Sequence, residues 1–222
     1  MLQNYKALFA EYAFWRPVLN SIFVAVSTVV LGFLVNALAG FAFAKFKFPG
    51  RRVLFVIYLF SFMIPFEMIA VPLSKTAEGL NVIDTYAALI LPMAANGMIV
   101  FLYRQFFMDI PDSLIEAATI DGAGFLRIFF QIIVPVSKPV IISASLMLFI
   151  KQWDAFLWPM IATTKNNMQV IQVAISNFTL EFTVLWGVIF AATVIAIIIP
   201  VLTLIPLQKY YIKGAVTSGL KG

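Results

Sequence analysis

Five long apolar runs set the pattern of this chain, at roughly 20–44, 53–73, 86–107, 133–158 and 184–207. Each holds the ~20 mostly apolar residues that a helix needs to cross a bilayer. Backbone groups in lipid must bond internally, so each run predicts a spanning helix. The expected fold is therefore all-α and transmembrane, one domain over 1–222. The second run carries Pro65 and Pro72, which predict a broken or kinked helix there. No repeat of 20–50 residues is evident.

The polar interruptions differ in kind. Residues 45–52, "KFKFPGRR", carry Lys45, Lys47, Arg51 and Arg52, whereas 74–85 is short and nearly neutral. Residues 108–132 hold Asp109, Asp112, Glu116 and Asp121. Residues 159–183 are rich in Thr, Asn and Gln, and the tail 208–222 holds Lys209, Lys213 and Lys221.

Composition agrees with a multi-span protein. The 222 residues are 63% hydrophobic and 11% charged, with mean hydropathy +1.01, where a soluble domain is about half apolar and a quarter charged. The net charge of +5 lies in short loops beside spans, so it reads as topology and not as nucleic-acid binding. Placing 45–52, 104–138 and the tail on one side gathers Lys45, Lys47, Arg51, Arg52, Arg104, Arg127, Lys138, Lys209, Lys213 and Lys221 there. Lys6, Arg16, Lys75, Lys151 and Lys165 stay on the other. The positive-inside rule then puts the C-terminus in the cytoplasm and the N-terminus outside. An outside N-terminus raises the expectation of a further helix upstream or supplied by another chain. The first twenty residues carry Lys6, Glu11 and Arg16 without an apolar core, so no secretory signal is expected there.

The chain has neither cysteine nor histidine. That removes disulfides, thiolate chemistry, the two commonest transition-metal ligands and histidine as a general base. No Gly-x-x-x-x-Gly-Lys-Ser/Thr phosphate loop is present, so any use of ATP falls to another chain.

The acidic segment has its own signature. Ser113-x-x-Glu116 after Pro111 predicts a capping box at a helix start. Leu114, Ala117 and Ala118 follow at helical spacing, Gly122 and Gly124 interrupt, and "FLRIFF" (125–130) leads towards Pro135. The pattern predicts a short helix, a bend at Gly122 and a second short helix on the cytoplasmic side. The small Ala117–Ala118 pair and the glycines would admit another protein's backbone; an amphipathic connector lying on the lipid surface explains the same pattern.

Glu116-Ala117-Ala118, three residues, Gly122, nine residues, Ile132, then Val134-Pro135 resembles the EAA loop of bacterial ABC-importer permeases, with Val134 where that pattern has Leu. Its longer form runs unbroken through Asp121, Gly122 and Ala123. Further segments are similar to the carbohydrate branch, in particular to the second permease of maltose-type pairs: "LNSIFVA" (19–25), "FAFAKFKFPGRR" (41–52), "QWDAFLWPMI" (152–161) and the tail "GAVTSGLKG". The third departs from the usual pattern at Asp154 and Ala155. The resemblance covers nearly the whole chain. It implies a five-helix type I importer permease core (MetI-like), with Glu116, Ala117, Ala118, Asp121, Gly122, Ala123 and Pro135 in coupling helices that dock on a cytoplasmic ATPase. It implies a homologous permease, two ATPase subunits that bind the ATP and Mg, and an extracytoplasmic substrate-binding protein as partners. It implies residence in the bacterial plasma membrane, no catalysis and no cofactor in this chain, and a sugar, polyol or glycerol phosphate as substrate. Such permeases carry one more span and an external segment before the part that begins here.

Five other residues are candidates for the translocation path. Glu67 lies within a predicted span, where a carboxylate costs ~2.5–3.5 kcal/mol at mid-helix and so faces a cavity, a partner helix or the interface. Asn36 and Asn96 either face the path or hydrogen-bond helix to helix. Trp153 and Asp154 suit a sugar face, and a tryptophan also anchors a helix at any membrane interface. The rival classes are an intramembrane enzyme, which needs two converging reactive groups, and an ion-coupled carrier using Glu67 as its proton site.

Overall fold

Two of the five expected spans form as single helices, and three are broken pairs. The structure is a computed structural model that describes residues 2–179 and 185–219, with side chains for 3–179 and 185–207. Helix α1 (Leu2–Ala10) precedes α2 (Trp15–Lys45), which carries the first apolar run in 31 residues, about 46 Å at 1.5 Å per residue. The second run breaks between α3 (Arg51–Phe62) and α4 (Phe66–Gly79). Pro65 has no amide to continue the ladder and pushes Ile64 out of the helical region. Pro72 sits inside α4, which runs on through residues expected as a connection.

The third run was expected to be continuous. It divides into α5 (Tyr86–Ala94) and α6 (Gly97–Met108). Asn96 is extended at the break, and its side chain accepts from the amides of Met98 and Ile99, which caps α6. Next come α7 (Asp112–Ile120) and α8 (Phe125–Ile128), a π-helical turn at Phe129–Ile133, and α9 (Val134–Val136). The fourth run then bends by 88° before α10 (Lys138–Trp153), where Pro135 and Pro139 supply no amides. α11 (Leu157–Ala162), a 3-10 turn at Asn166–Met168 and α12 (Ile171–Asn177) fill the polar connection, and α13 (Trp186–Gly219) carries the last run. Residues 180–184 of that connection and Lys221 of the basic tail lie outside the described residues, and Lys209 and Lys213 outside the described side chains.

The chain divides into two compact units. The first comprises Met1–Thr28, Phe66–Met93 and Leu148–Pro206. Leu8, Phe14, Trp153, Ile171 and Ala192 form one of its cores, and Val24, Leu89, Trp158 and Ala162 another. The second comprises Val29–Pro65, Ala94–Met147 and Leu207–Gly222. Its interior is aromatic, with Phe41, Tyr103, Phe107 and Phe129 buried. Gly40 lets α2 and α6 meet there, because a Cβ on it would stand 2.7 Å from Tyr103 Cβ. Outside these cores the helices present Val30, Ile57, Phe60, Phe190 and Leu202 to the exterior. Apolar side chains of that size on the outside of α2, α3 and α13 fit lipid as the solvent.

The first unit also shows how the spans tolerate proline. A proline in a helix leaves the carbonyl four residues earlier without its amide partner and tilts it away from the axis. Pro92 orphans Ala88, and the Trp158 indole Nε1 donates to that carbonyl at 2.8 Å. Pro200 orphans Ala196, and Trp153 Nε1 donates to it at 3.0 Å. Both tryptophans are buried, so each indole supplies the bond that lipid cannot.

In the same unit the polar connections are tied together. Asn20 Nδ2 donates to the carbonyls of Asn167 and Gln169, and Asn20 Oδ1 accepts from the Tyr86 hydroxyl. The Asp84 carboxylate accepts from the amides of Thr164 and Lys165 and from the Thr164 hydroxyl. These bonds, the Thr164 hydroxyl first, hold its carboxyl below the usual carboxylate range.

Candidate functional site: the acidic segment between α6 and α10

The segment forms two short helices with a bend at Gly122, as the sequence predicts. The capping box does not form. α7 starts two residues earlier, with Pro111 at the N-cap and no side-chain cap hydrogen bond. Pro111 is held extended at ψ 132° and its carbonyl accepts from the Leu114 amide, so Ser113 lies inside the first turn. Its hydroxyl is then no longer placed to reach back to the exposed amides. Glu116 is left exposed and is not used as a cap.

The other end of α7 carries the motif's chemistry. The Ala123 amide donates to the Ala118 carbonyl at 2.9 Å and the Gly122 amide to the Thr119 carbonyl at 3.0 Å. This pair of bonds is a Schellman ending, which needs a left-handed residue just past the helix. Gly122 supplies it at φ +77°, and a Cβ there would meet nothing within 4 Å. The glycine is thus required by backbone angle and not by close approach within this chain. Asp121 is the last residue before that turn, exposed beside Glu116 and Ala117, while Ala118 is buried beneath them.

Two anchors fix the segment to the second unit. Lys45, the last residue of α2, donates its Nζ to Asp112 Oδ1 at 2.6 Å and also to the Ile110 carbonyl. That contact holds the Asp112 carboxyl below its usual range, and a cation at the end of α2 also suits the helix dipole. The second anchor is aromatic. The Phe125 ring stacks on Phe41 at 5.4 Å and 16° and meets Phe46 at 4.8 Å, and Phe129 packs on Phe41 at 5.5 Å. The π turn that follows carries the chain into exposed Pro135. Leu114, Ile120 (86% exposed) and Leu126 stand exposed in this segment, along with Glu116 and Asp121. Apolar side chains thus stand exposed among acids beside an anchored turn.

The path candidates have separate surroundings. Asn36 and Asn96 meet: Asn36 Oδ1 accepts the Asn96 amide at 2.8 Å, and Asn36 Nδ2 donates to the carbonyls of Ala94 and Gly32. Asn36 is fully buried and stitches α2 to the break between α5 and α6. Trp153 is buried with its Nε1 on Ala196, stacked on Phe149 at 5.7 Å. Its neighbour Asp154 is exposed. Glu67 is exposed in the first turn of α4, where the helix dipole favours a carboxylate. Lys45–Asp112 and Trp158–Ala88 were not visible in the sequence. The only signal for the latter is a proline within an apolar run, which marks the carbonyl four residues earlier.

Residues 29–214 match the family of binding-protein-dependent transport system inner membrane components. The sn-glycerol-3-phosphate transport system permease protein UgpE of Salmonella typhimurium is 34% identical over 226 residues, 98% of this chain and 80% of that protein. The arabinooligosaccharides transport system permease protein AraQ of Halalkalibacterium halodurans is 31% identical over 222 residues, 100% of this chain and 80% of that protein. A crystal structure of a bacterial ABC transporter involved in the import of the acidic polysaccharide alginate superposes with TM-score 0.80 at 25% identity. The match covers 92% of this chain and 79% of that one. The chain belongs to the family of binding-protein-dependent transport system inner membrane components. It is a membrane permease with the helical fold of an ABC importer subunit.

Proposed function

We propose that this permease carries a sugar, or a related polyol or glycerol phosphate, inward across the bacterial plasma membrane, and that residues 109–131 are its handle for a cytoplasmic ATPase. The observation that carries the reading is the Schellman turn at Gly122, anchored through Lys45 and Phe41 and leaving Leu114, Glu116, Ile120 and Asp121 outward. Its partners are a homologous permease, two ATPase subunits that bind ATP and Mg, and an extracytoplasmic binding protein. The substrates named for UgpE, AraQ and the alginate importer are all polyhydroxylated, which supports the solute class. No bond of the solute is made or broken. Closure of the ATPase pair moves α7 and α8, and the spans rock between inward- and outward-facing states. Glu67, Asp154 and the free amide donors of Asn96 are the groups left to meet hydroxyls along the path.

The test is uptake in inside-defined membrane vesicles carrying the complete transporter. Uptake that needs ATP and survives collapse of ion gradients is expected; uptake that follows a proton or sodium gradient without ATP overturns the reading. Orientation is checked with Lys47→Cys and Thr164→Cys and an impermeant thiol reagent on intact cells. Labelling of Thr164→Cys alone is expected, and labelling of Lys47→Cys contradicts it.

A further inference from the structure

Two arginines converge in the second unit where α2 ends and α3 begins, and a third adjoins them. The turn at 48–51, closed by the Arg51 amide on the Phe48 carbonyl at 3.3 Å, starts α3 soon after the end of α2. Arg51 Nη1 donates back to the carbonyls of Phe46 at 2.9 Å and Ala44 at 3.5 Å. Arg104 reaches the same place from α6. Its guanidinium lies 4.1 Å from the centre of the Phe55 ring, and its Nε donates to the Phe43 carbonyl at 3.4 Å. Phe55 is buried and follows Arg51 by one helical turn, so Arg104 sits within range of Arg51's like charge. Arg52, the next residue of α3, is exposed.

These bonds do not balance the charge. A carbonyl satisfies an N–H donor and leaves the positive charge in place. Arg51 and Arg52 open α3 with no acid in its first turn, at the end where the helix dipole opposes a cation. Lys45, in the same basic stretch, has its acid in Asp112. Arg104 is half-buried, where water screens a like charge less than at the open surface. Cations gathered in this way are stabilised by an anion between them. The bonds of Arg104 run through Nε and those of Arg51 through Nη1. The remaining guanidinium nitrogens offer the planar fork that grips a phosphate bidentately. The surface beyond Arg52 decides between a free phosphate and a lipid. Arg52, Val56 and Phe60 follow at i, i+4 and i+8 on one face of α3 and are all exposed, flanked by exposed Val53 and Ile57. The row runs about 12 Å along the helix at 1.5 Å per residue. A free phosphate covers the arginines and leaves this row bare, whereas a phospholipid covers both, as in basic pockets between spanning helices.

We propose that Arg51, Arg52 and Arg104 bind the phosphate of one anionic phospholipid, with an acyl chain laid along Val56 and Phe60. The site lies wholly within the second unit and is independent of what the permease carries.

The experiment is native mass spectrometry of the full chain released from detergent micelles, titrated with phosphatidylglycerol and separately with zwitterionic phosphatidylcholine. The wild type is expected to retain one phosphatidylglycerol about tenfold more tightly than phosphatidylcholine. Arg52→Gln and Arg104→Gln are each expected to weaken that retention about fivefold. Arg52 is exposed, so Arg52→Gln reads the site without disturbing the packing on Phe55. Lys47→Gln removes a charge of the same stretch from outside the proposed set and is expected to change retention less than about twofold. Incubation with about 10 mM inorganic phosphate, before transfer to a volatile buffer, is expected to leave the lipid bound. Equal retention of the two lipids overturns the proposal, as does wild-type retention of phosphatidylglycerol in either arginine variant. A loss in Lys47→Gln as large as in the arginine variants overturns it too, by assigning the effect to overall charge. Release of the lipid by inorganic phosphate assigns the arginines to a free anion and likewise overturns it.

Discussion

Replacing Trp158 by Phe deletes one indole N–H and little else from the core of the first unit. Trp158 is 2% exposed, and its Nε1 stands 2.8 Å from the carbonyl that Pro92 orphans. Leaving that buried carbonyl unbonded costs about 1–3 kcal/mol. The smaller ring loses roughly 1 kcal/mol more of apolar burial, at ~25 cal/mol per Å², including part of its edge contact with Phe66. The two terms separate in a second background. Pro92→Ala restores an amide at residue 92, which can donate to Ala88 within α5, so the indole bond becomes redundant there. Trp158→Phe is then expected to cost about 2–4 kcal/mol in the wild-type chain and about 1 kcal/mol in the Pro92→Ala chain, a coupling of about 1–3 kcal/mol. Reversible unfolding of the purified permease in bicelles measures all four corners of the cycle. Equal costs of Trp158→Phe in the two backgrounds refute the idea that the tryptophan replaces the missing amide.

Lys45→Gln keeps most of the buried stem of the side chain but removes the charge paired with Asp112. It is expected to leave insertion and abundance intact while slowing ATP-driven uptake several-fold, and uptake at the wild-type rate dismisses Lys45 as the anchor of α7. The Asp84 contact is expected to be sensitive to acid only. Its carboxyl is held below its ordinary value, so the stabilisation is full above the unfolded-state value near ~4 and is lost as pH falls through the lower folded value. Hydrogen exchange at the Thr164 and Lys165 amides is expected to be slow and flat across neutral pH, after correction for intrinsic rates. Asp84→Asn should speed it at every pH above ~4, and protection unchanged in Asp84→Asn contradicts the contact.

The apolar runs made the five spanning elements legible because lipid leaves the backbone only helical solutions among short chain segments. Pro65 announced the break after α3. The break at Asn96 was not legible, because its cause is a capping side chain braced by Asn36, sixty residues away. The bend at Gly122 was legible and its reason was left open between backbone angle and close approach; φ +77° and an empty Cβ position decide for the angle. The capping box failed because Pro111 set the helix start two residues early, a local competition that spacing does not resolve. Trp153 offered the sequence an aromatic face beside a polar neighbour, yet its indole is bonded to Ala196. Pattern reading counts side chains, and this one is occupied by a backbone group that a proline forty-seven residues later sets free.

The coupling role of the acidic segment is tested most directly at Gly122, whose φ of +77° makes a β-branched residue cost about 1–2 kcal/mol and unwind the Schellman turn. The measurement is ATP-driven uptake together with recovery of the ATPase subunits on the purified permease, for Gly122→Val, Gly122→Asn and Glu116→Lys. Asparagine tolerates the left-handed region, so Gly122→Asn is expected to keep most of the uptake. Gly122→Val is expected to insert normally and to lose uptake along with ATPase recovery or coupled hydrolysis, and Glu116→Lys to weaken recovery through the exposed charge. Wild-type uptake and wild-type ATPase recovery in a chain carrying both Gly122→Val and Glu116→Lys would contradict the account.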